Sequence, residues 1–124
     1  MTLVDDPLYP GCTVQTSFDA EGVAAYTKNV IENGVLNTLL YNLKTAAKEG
    51  KKSTGNAYKG SYASNVSIAP YSFYLKPGEL SREEVLSKVG KGVYITEING
   101  GHAGANAVTG DFSLQSAGFL IEDG

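Results

Sequence analysis

The sequence is poor in the residues that bind transition metals or form disulfides. Its 124 residues include one cysteine, Cys12, and one histidine, His102. A single cysteine excludes an intrachain disulfide and cannot by itself form a thiolate metal site. A single histidine excludes a two-histidine zinc site, such as a His-Glu-x-x-His or His-Glu-x-x-x-His helix, within this chain. We therefore expect these residues alone to bind no metal cofactor.

Long hydrophobic runs and a strongly basic surface are also lacking. No apolar run approaches the roughly 18 residues that a membrane-spanning helix needs. The first residues carry Asp5 and Asp6 in place of the basic and apolar regions of a secretory signal, so we expect a cytoplasmic protein that contacts no membrane. Five lysines lie between residues 44 and 59, but the net charge is -3 and the pI is about 5.0. This balance argues against nucleic-acid binding.

The abundant residue is glycine, which favours turn-rich β structure. It accounts for 15 of 124 residues, well above the average share of about 7%. The Asn33-Gly34 pair predicts a tight hairpin that joins strands at 26–32 and 35–41. Further strands are expected at 2–4, at 66–75 with an interruption at Pro70, at 93–98 and at 112–121.

Two short helices are expected between these strands. One covers residues 42–49, with Asn42 as its cap and Gly50 as its end. The other covers 82–89, because Ser81 and Glu84 have the spacing of a capping box. Because strands and helices do not alternate regularly, the expected fold class is α+β: a single domain over residues 1–124, mainly antiparallel β-sheet with two short helices.

The last residues suggest an unfinished hairpin. A strand ending in Phe119-Leu120-Ile121 runs into an Asp-Gly turn at Asp123-Gly124, with no partner strand after it. Because native proteins avoid exposed unpaired edges, we expect an excised fragment of a longer protein, whose edge could pair with another copy.

Few side chains form a catalytic pattern. Cys12 and His102 could act as a nucleophile and base, but neither lies in a recognisable motif. The carboxylates of Asp5-Asp6 and of Asp19 with Glu21 could bind a hard cation or act in acid–base chemistry, although turn and cap formation is the commoner role. The glycine-rich run at 100–104 lacks the spacing of a phosphate-binding loop, and no convincing helix follows it.

An ordered series of segments resembles a known family. The segments are Phe18-Asp19-Ala20-Glu21-Gly22-Val23, Val30-Ile31-Glu32-Asn33-Gly34-Val35-Leu36, Lys52-Ser53-Thr54-Gly55-Asn56-Ala57, Tyr74-Leu75-Lys76-Pro77-Gly78-Glu79, Lys91-Gly92-Val93-Tyr94-Ile95-Thr96-Glu97, Gly100-Gly101-His102, Val108-Thr109-Gly110-Asp111-Phe112-Ser113 and Gly118-Phe119-Leu120-Ile121-Glu122-Asp123-Gly124. Their order is similar to that of the C-terminal domain of the PmbA/TldD family, the "modulator of DNA gyrase" group regarded as cytoplasmic peptidases. His102 with Thr109-Gly110-Asp111-Phe112 resembles the PmbA (TldE) branch more than the TldD branch.

This resemblance implies a division of labour between two subunits. A TldD-type subunit supplies zinc ligands from a His-Glu-x-x-x-His helix and a downstream cysteine, and cleaves extended peptides. A PmbA-type subunit has a similar fold, lacks those ligands and joins it in a heterodimer. No catalytic or metal-binding residue carries over to this chain, so zinc is expected only in a catalytic partner. The sequence departs from the family pattern at Ala20 and at Val23-Ala24-Ala25.

The matched segments contain four candidate contact residues for a peptide or a partner. Gly55 and Asn56 offer a flexible backbone beside an amide that can clamp a peptide main chain, or Asn56 can simply satisfy a turn. His102 and Asp111, joined by a glycine-rich loop, could face a groove, or His102 can be a hydrogen-bonded structural residue.

Three functional hypotheses follow from the resemblance and the composition. The first is a fragment of a noncatalytic PmbA/TldE-like subunit of a zinc metallopeptidase complex in proteolysis and peptide maturation. It would pair strands with a TldD-like subunit, with a second copy in a homo-oligomer, or with an extended peptide substrate. The second is a fragment of a TldD-like catalytic metallopeptidase. The third is a stand-alone β-rich binding module.

Overall fold

The structure, a computed structural model, describes residues 1–12 and 15–124. The chain divides into two compact units, Met1–Pro77 and Gly78–Gly124. The fold class is α+β with antiparallel strand pairs, which confirms the expectation from the sequence.

The first unit contains a four-stranded antiparallel sheet, a two-stranded sheet and one helix among its described residues. In chain order its elements are β1 (Leu3–Asp6), β2 (Lys28–Glu32), β3 (Val35–Leu36), α1 (Leu43–Glu49), β4 (Ala57–Tyr58), β5 (Ser67–Ile68) and β6 (Ser72–Leu75). The larger sheet has the strand order β3-β2-β1-β6, and β4 pairs with β5. Strand β1 therefore lies inside this sheet, between β2 and β6, and β6 lies at an edge.

The hairpin between β2 and β3 confirms the turn expected at Asn33-Gly34. Both residues have positive φ angles, 50° and 86°, as a two-residue hairpin turn of this kind requires. Strand β3, Val35–Leu36, is much shorter than the strand predicted over residues 35–41. The Asn37 N–H still donates to the Val30 carbonyl oxygen of β2 at 2.9 Å, but further along the chain the Tyr41 carbonyl oxygen accepts from the Thr54 backbone N–H at 3.2 Å. This long-range pairing ends the strand early.

Helix α1 forms where its capping residues predict. The Asn42 side chain accepts from the backbone N–H of Thr45 at 2.9 Å, and Gly50 closes the helix in the left-handed conformation. Ala46 is buried on the inner side of the helix. The predicted segment 66–75 divides into β5 and β6 on either side of Pro70, because proline cannot donate to a strand ladder.

The second unit consists of two helices and a long antiparallel strand pair. Its elements are α2 (Arg82–Val89), β7 (Gly92–Asn99), α3 (Gly101–Gly104) and β8 (Gln115–Ile121). The Ser81–Glu84 capping box of α2 is present, as predicted. The one-turn helix α3 was not expected.

Strand β8 begins later than the predicted residue 112. Residues 104–113 instead form a closed loop, in which the Ser113 N–H donates to the Gly104 carbonyl oxygen at 2.7 Å and the Asn106 N–H to that of Asp111 at 2.8 Å. These bonds occupy backbone groups that a longer strand would have paired with β7.

The buried apolar side chains are distributed unevenly. Within the part of the chain that the structure describes, Val4, Val30, Tyr41, Ala46 and Ala57 are buried in the first unit, whereas Ile121 is the one buried hydrophobic residue of the second. Among the described residues, no helix has the length and apolar character needed to cross a membrane.

Candidate functional site

A buried carboxylate lies at the centre of the first unit. Asp5, in the central strand β1, has no exposed surface. Its Oδ2 accepts from Lys28 Nζ at 3.1 Å and from Asn56 Nδ2 at 2.7 Å, and its Oδ1 accepts from the Tyr71 backbone N–H at 2.6 Å. Three donors from distant parts of the chain therefore compensate the desolvation of one charge.

The strand register places Lys28 beside Asp5. The two residues are antiparallel partners in β1 and β2, next to a register irregularity between Leu3 and Val4. The Lys28 ammonium also lies 4.7 Å from the ring centre of Tyr26 and 5.9 Å from that of Tyr71. Aromatic faces attract a desolvated cation, so this lysine is held by a carboxylate and by two rings.

The Asn56 side chain joins this ion pair to the neighbouring loop. Asn56 has no exposed surface, and its Nδ2 also donates to the Ala69 carbonyl oxygen at 3.1 Å. Its Oδ1 accepts from the hydroxyl of Thr54 at 2.8 Å. The Asn56 amide is thus occupied by contacts within the unit. A direct contact between this side chain and a peptide remains a prediction.

Gly55 occupies a position where a side chain does not fit. Its φ angle is +69°, and a Cβ atom would lie 2.5 Å from the Ala24 carbonyl oxygen and 2.9 Å from the Ala25 Cα. Its own carbonyl oxygen accepts from the Tyr71 hydroxyl at 2.7 Å. The glycine therefore permits a close approach between two backbone segments.

A second buried carboxylate, Asp19, organises the first loop. Its Oδ1 accepts from the N–H groups of Glu21 at 2.9 Å and Val23 at 3.0 Å, and its Oδ2 accepts from that of Ala57 at 3.0 Å. Glu21 in turn accepts from the Leu43 N–H at the start of α1, at 2.8 Å. In this structure, Asp19 and Glu21 therefore act as turn and cap formers, which is the commoner of the two roles considered from the sequence.

The environment of the network raises the pKa of Tyr71. Burial is the largest cause, and the negative charges of Asp19 and Asp5 add to it. The pKa of Tyr41 is also raised, mainly because its hydroxyl donates to the Glu49 carboxylate at 2.7 Å. Both phenols are therefore held in the protonated form, in which they donate.

The other two candidate residues lie in the second unit. His102 is exposed in α3, and Asp111 is exposed in the closed loop. The Asp111 backbone N–H donates to the Thr109 hydroxyl at 3.3 Å. The four candidates therefore divide between the units: Gly55 and Asn56 are adjacent in the buried network, and His102 and Asp111 lie at the surface. Their roles as contact residues stay predictions.

Sequence reasoning missed the ion pair itself. The sequence presents Asp5 only as a carboxylate beside Asp6, and Lys28 stands in no motif. The available signal is a lysine within the predicted strand 26–32, but its strand partner cannot be read from local spacing.

Cys12 lines a small cavity of about 270 Å³ together with Tyr58 and Tyr71.

The side chains present do not fit a zinc site. Among residues 1–12 and 15–124, no group of three or more histidine, cysteine, aspartate and glutamate side chains could hold a metal ion. The oxygens of the buried carboxylates Asp5 and Asp19 accept from side chains and backbone of the same unit.

Comparison with known proteins agrees with this architecture. The family model for the PmbA/TldA metallopeptidase C-terminal domain matches residues 1–124. The chain belongs to the PmbA/TldD family. A crystal structure from Thermotoga maritima, of a candidate modulator of a DNA gyrase, shares 47% identity at a TM-score of 0.84 and covers 98% of this chain and 27% of that one.

PmbA-type relatives also match nearly the whole length of this chain. TldE from Thermococcus kodakarensis is 30% identical at a TM-score of 0.84, over 98% of this chain and 28% of that structure. Metalloprotease PmbA of Escherichia coli O157:H7 is 35% identical over 100% of this chain and 25% of its own length. This PmbA/TldD-family chain therefore spans about a quarter of the length of the relatives it matches.

Removing the charge of Asp5 should destabilise the domain strongly. In Asp5→Asn, the new amide would leave Lys28 buried without a counter-charge, so we expect the free energy of unfolding to fall by about 3–5 kcal/mol. The double variant Asp5→Asn/Lys28→Met should lose less than Asp5→Asn alone. Glu122→Gln, at an exposed carboxylate, is the control and should change stability by less than about 0.5 kcal/mol. Urea unfolding followed by circular dichroism measures all three, and equal losses in the single and double variants would contradict a buried ion pair.

The raised pKa of Tyr71 should make stability depend on pH in the alkaline range. The unfolded phenol ionises near its ordinary pKa of about 10, whereas the folded phenol ionises only at higher pH. The stabilisation is therefore complete below pH of about 10 and is lost as pH rises through the folded pKa. Tyr71→Phe should lower stability at neutral pH and flatten this alkaline decline, and urea unfolding at a series of pH values measures both effects. An unchanged decline in Tyr71→Phe would show that other groups cause it.

Proposed function

We propose that this chain is part of the C-terminal domain of a PmbA-type subunit that carries no metal site of its own and works with a TldD-like subunit in a cytoplasmic zinc peptidase complex. The observation that carries the proposal is the chain-wide similarity to PmbA and TldE proteins. The complex would act in proteolysis and peptide maturation.

Residues 1–124 themselves provide no set of zinc ligands. Family catalysis would require several zinc ligands, and the chain offers one histidine and one cysteine. The buried carboxylates Asp5 and Asp19 hold loops and strands together. In this proposal the chain acts as a scaffold, and the metal chemistry belongs to the TldD-like subunit.

The edge strand β6 offers a way for this scaffold to bind an extended segment. The Lys76 N–H donates to the Thr2 carbonyl oxygen at 2.9 Å, and β1 and β6 continue in the same register. Because paired positions alternate in an antiparallel ladder, Ser72 and Tyr74 bond to β1, and the N–H and C=O groups of Phe73 and Leu75 face the open edge. An added strand from a partner or a peptide can pair there.

The complex is tested with the full-length gene product that contains this chain and the TldD-like subunit of the same organism. We expect the two to co-elute in size-exclusion chromatography, and we expect the mixture to hydrolyse an unstructured peptide. Bound zinc should stay with the TldD-like subunit when the two are separated and dialysed. Absence of a complex would falsify the proposal, and zinc-dependent hydrolysis by the gene product alone would favour the TldD-like alternative.

The strand-pairing mode is tested by a matched pair of substitutions at Phe73. Phe73→Pro removes the outward N–H, and Phe73→Ala removes the same ring but keeps this donor. An edge strand tolerates proline where its N–H faces solvent, so the fold should persist in both variants. We expect Phe73→Pro to weaken binding of the partner or peptide by about tenfold, and Phe73→Ala to weaken it less.

Binding of each variant is measured by isothermal titration calorimetry, after circular dichroism has shown equal folding. Equal weakening in both variants would assign the effect to the ring. No weakening in either would show that this edge is not used.

A further inference from the structure

A cavity of about 400 Å³ lies within the second unit, between helix α2 and the β7–β8 strand pair. Helix α2 contributes Leu86 to its apolar lining, β7 contributes Tyr94, and β8 contributes Phe119 and Ile121. Cavities that bind small ligands commonly have volumes of about 300–1,000 Å³. This cavity is therefore large enough for a small organic molecule.

The strand register directs the apolar lining to one side of the strand pair. Tyr94 is the partner of Phe119, and Gly92 is the partner of Ile121. Since side chains alternate along each strand, Tyr94, Phe119 and Ile121 share the face on the side of α2. Ile121 is buried and Leu86 is half-buried, whereas Phe119 is exposed by 67% of its surface. The apolar wall is thus closed at Ile121 and open to solvent at Phe119.

Two opposite charges lie beside this apolar wall. Arg82 is the first residue of α2, Glu122 directly follows β8, and both line the cavity. Neither residue forms an ion pair with the other or with any further residue that the structure describes. Both charges are therefore open to a ligand.

The position of the Arg82 cation is fixed by an aromatic ring. Its guanidinium lies 5.1 Å from the ring centre of Tyr94. A ring face attracts a cation without supplying a negative charge, so this contact holds the guanidinium at the cavity but leaves it without a counter-ion. Arginine binds carboxylates through paired N–H donors. A carboxylate on a ligand is thus the group that Arg82 can receive.

The opposite charges decide which class of ligand fits. An apolar carboxylic acid would be attracted by Arg82 and repelled by Glu122, and an apolar amine would meet the reverse. An apolar internal segment of a polypeptide brings no charge to either residue. A small zwitterion satisfies both residues, and an apolar side chain on that zwitterion matches the wall formed by Leu86 and Ile121.

We propose that this cavity binds a free α-amino acid with an apolar side chain, such as leucine. Its carboxylate pairs with Arg82, its ammonium group pairs with Glu122, and its side chain packs against Leu86 and Ile121. The site uses neither a metal nor the edge of β6, so it goes beyond the proposed function. Because hydrolysis of peptides releases amino acids, the ligand belongs to the product class of the proposed complex.

Ligand titrations with the full-length gene product, without the TldD-like subunit, test this site. Saturation-transfer-difference NMR measures the binding of leucine, of N-acetylleucine, which lacks the ammonium group, and of leucinamide, which lacks the carboxylate. We expect each of the two derivatives to bind about fivefold more weakly than leucine, which is the scale of an exposed ion pair. Glycine should bind about tenfold more weakly, because it has no side chain to pack in the cavity.

Two substitutions assign the charges to their partners. Arg82→Gln should weaken the binding of leucine and N-acetylleucine by about fivefold and should not weaken that of leucinamide. Glu122→Gln should weaken the binding of leucine and leucinamide by the same factor and should not weaken that of N-acetylleucine. Lys88→Gln is the matched control, because it removes an exposed cation of α2 that does not line the cavity. It should leave the binding of all three compounds unchanged.

The crossed design separates a lost charge from a lost fold. Each cavity variant keeps one compound whose binding is not weakened, so a misfolded variant is recognised by the loss of all three, and the other variant still decides. Failure of the wild-type protein to bind leucine, or equal binding of leucine and both derivatives, would overturn the proposal. Tighter binding of the dipeptide leucylalanine than of leucine would overturn the assignment to a free amino acid.

The result is independent of the test of the proposed function. Leucine binding is measured on the gene product alone, whereas complex formation is measured on the mixture with the TldD-like subunit. A complex without leucine binding would refute only this site. Leucine binding without a complex would refute only the proposed function.

Discussion

The buried ion pair between Asp5 and Lys28 is the interaction on which the first unit depends. The Asp5 carboxylate alone collects donors from β2, from the loop before β4 and from the residue before β6. Burying a charge costs several kcal/mol unless its lone pairs are satisfied, so these segments must all be in place together. The Asp5 carboxylate therefore joins β1 to residues that lie 23, 51 and 66 positions away in sequence.

This coupling explains the position of the Gly55-Asn56 segment. Asn56 is drawn inward because its amide supplies a donor to Asp5 and an acceptor to Thr54. Gly55 is then forced against the backbone of Ala24 and Ala25, where only a residue without a Cβ fits. The sequence suggests that this segment clamps a peptide. In the structure, its conformation is set by the hydrogen bond of Asn56 to the buried Asp5 carboxylate.

The sequence predicted the features that depend on neighbouring residues. The Asn33-Gly34 turn, the Asn42 cap and the Ser81–Glu84 capping box are local signals, and each forms as expected. The early end of β3 and the burial of Asp5 depend on partners far along the chain, which local spacing does not reveal. Of the candidate site, the sequence could indicate the residues but not that two of them join a buried network.

The buried carboxylates Asp5 and Asp19 are committed to structural contacts within the first unit. A carboxylate that serves as a ligand or a general base must be reached by a cation or a substrate, whereas Asp5 and Asp19 are exposed by only 0% and 5% of their surface. Asp5 and Asp19 each accept three hydrogen bonds from their own unit. Their charged oxygens hold strands and loops together: Asp5 joins β1 to β2, and Asp19 joins the first loop to the start of β4. The buried network does not use the outer edge of β6, so the binding of an extended segment proposed there requires no rearrangement of Asp5 or Asp19.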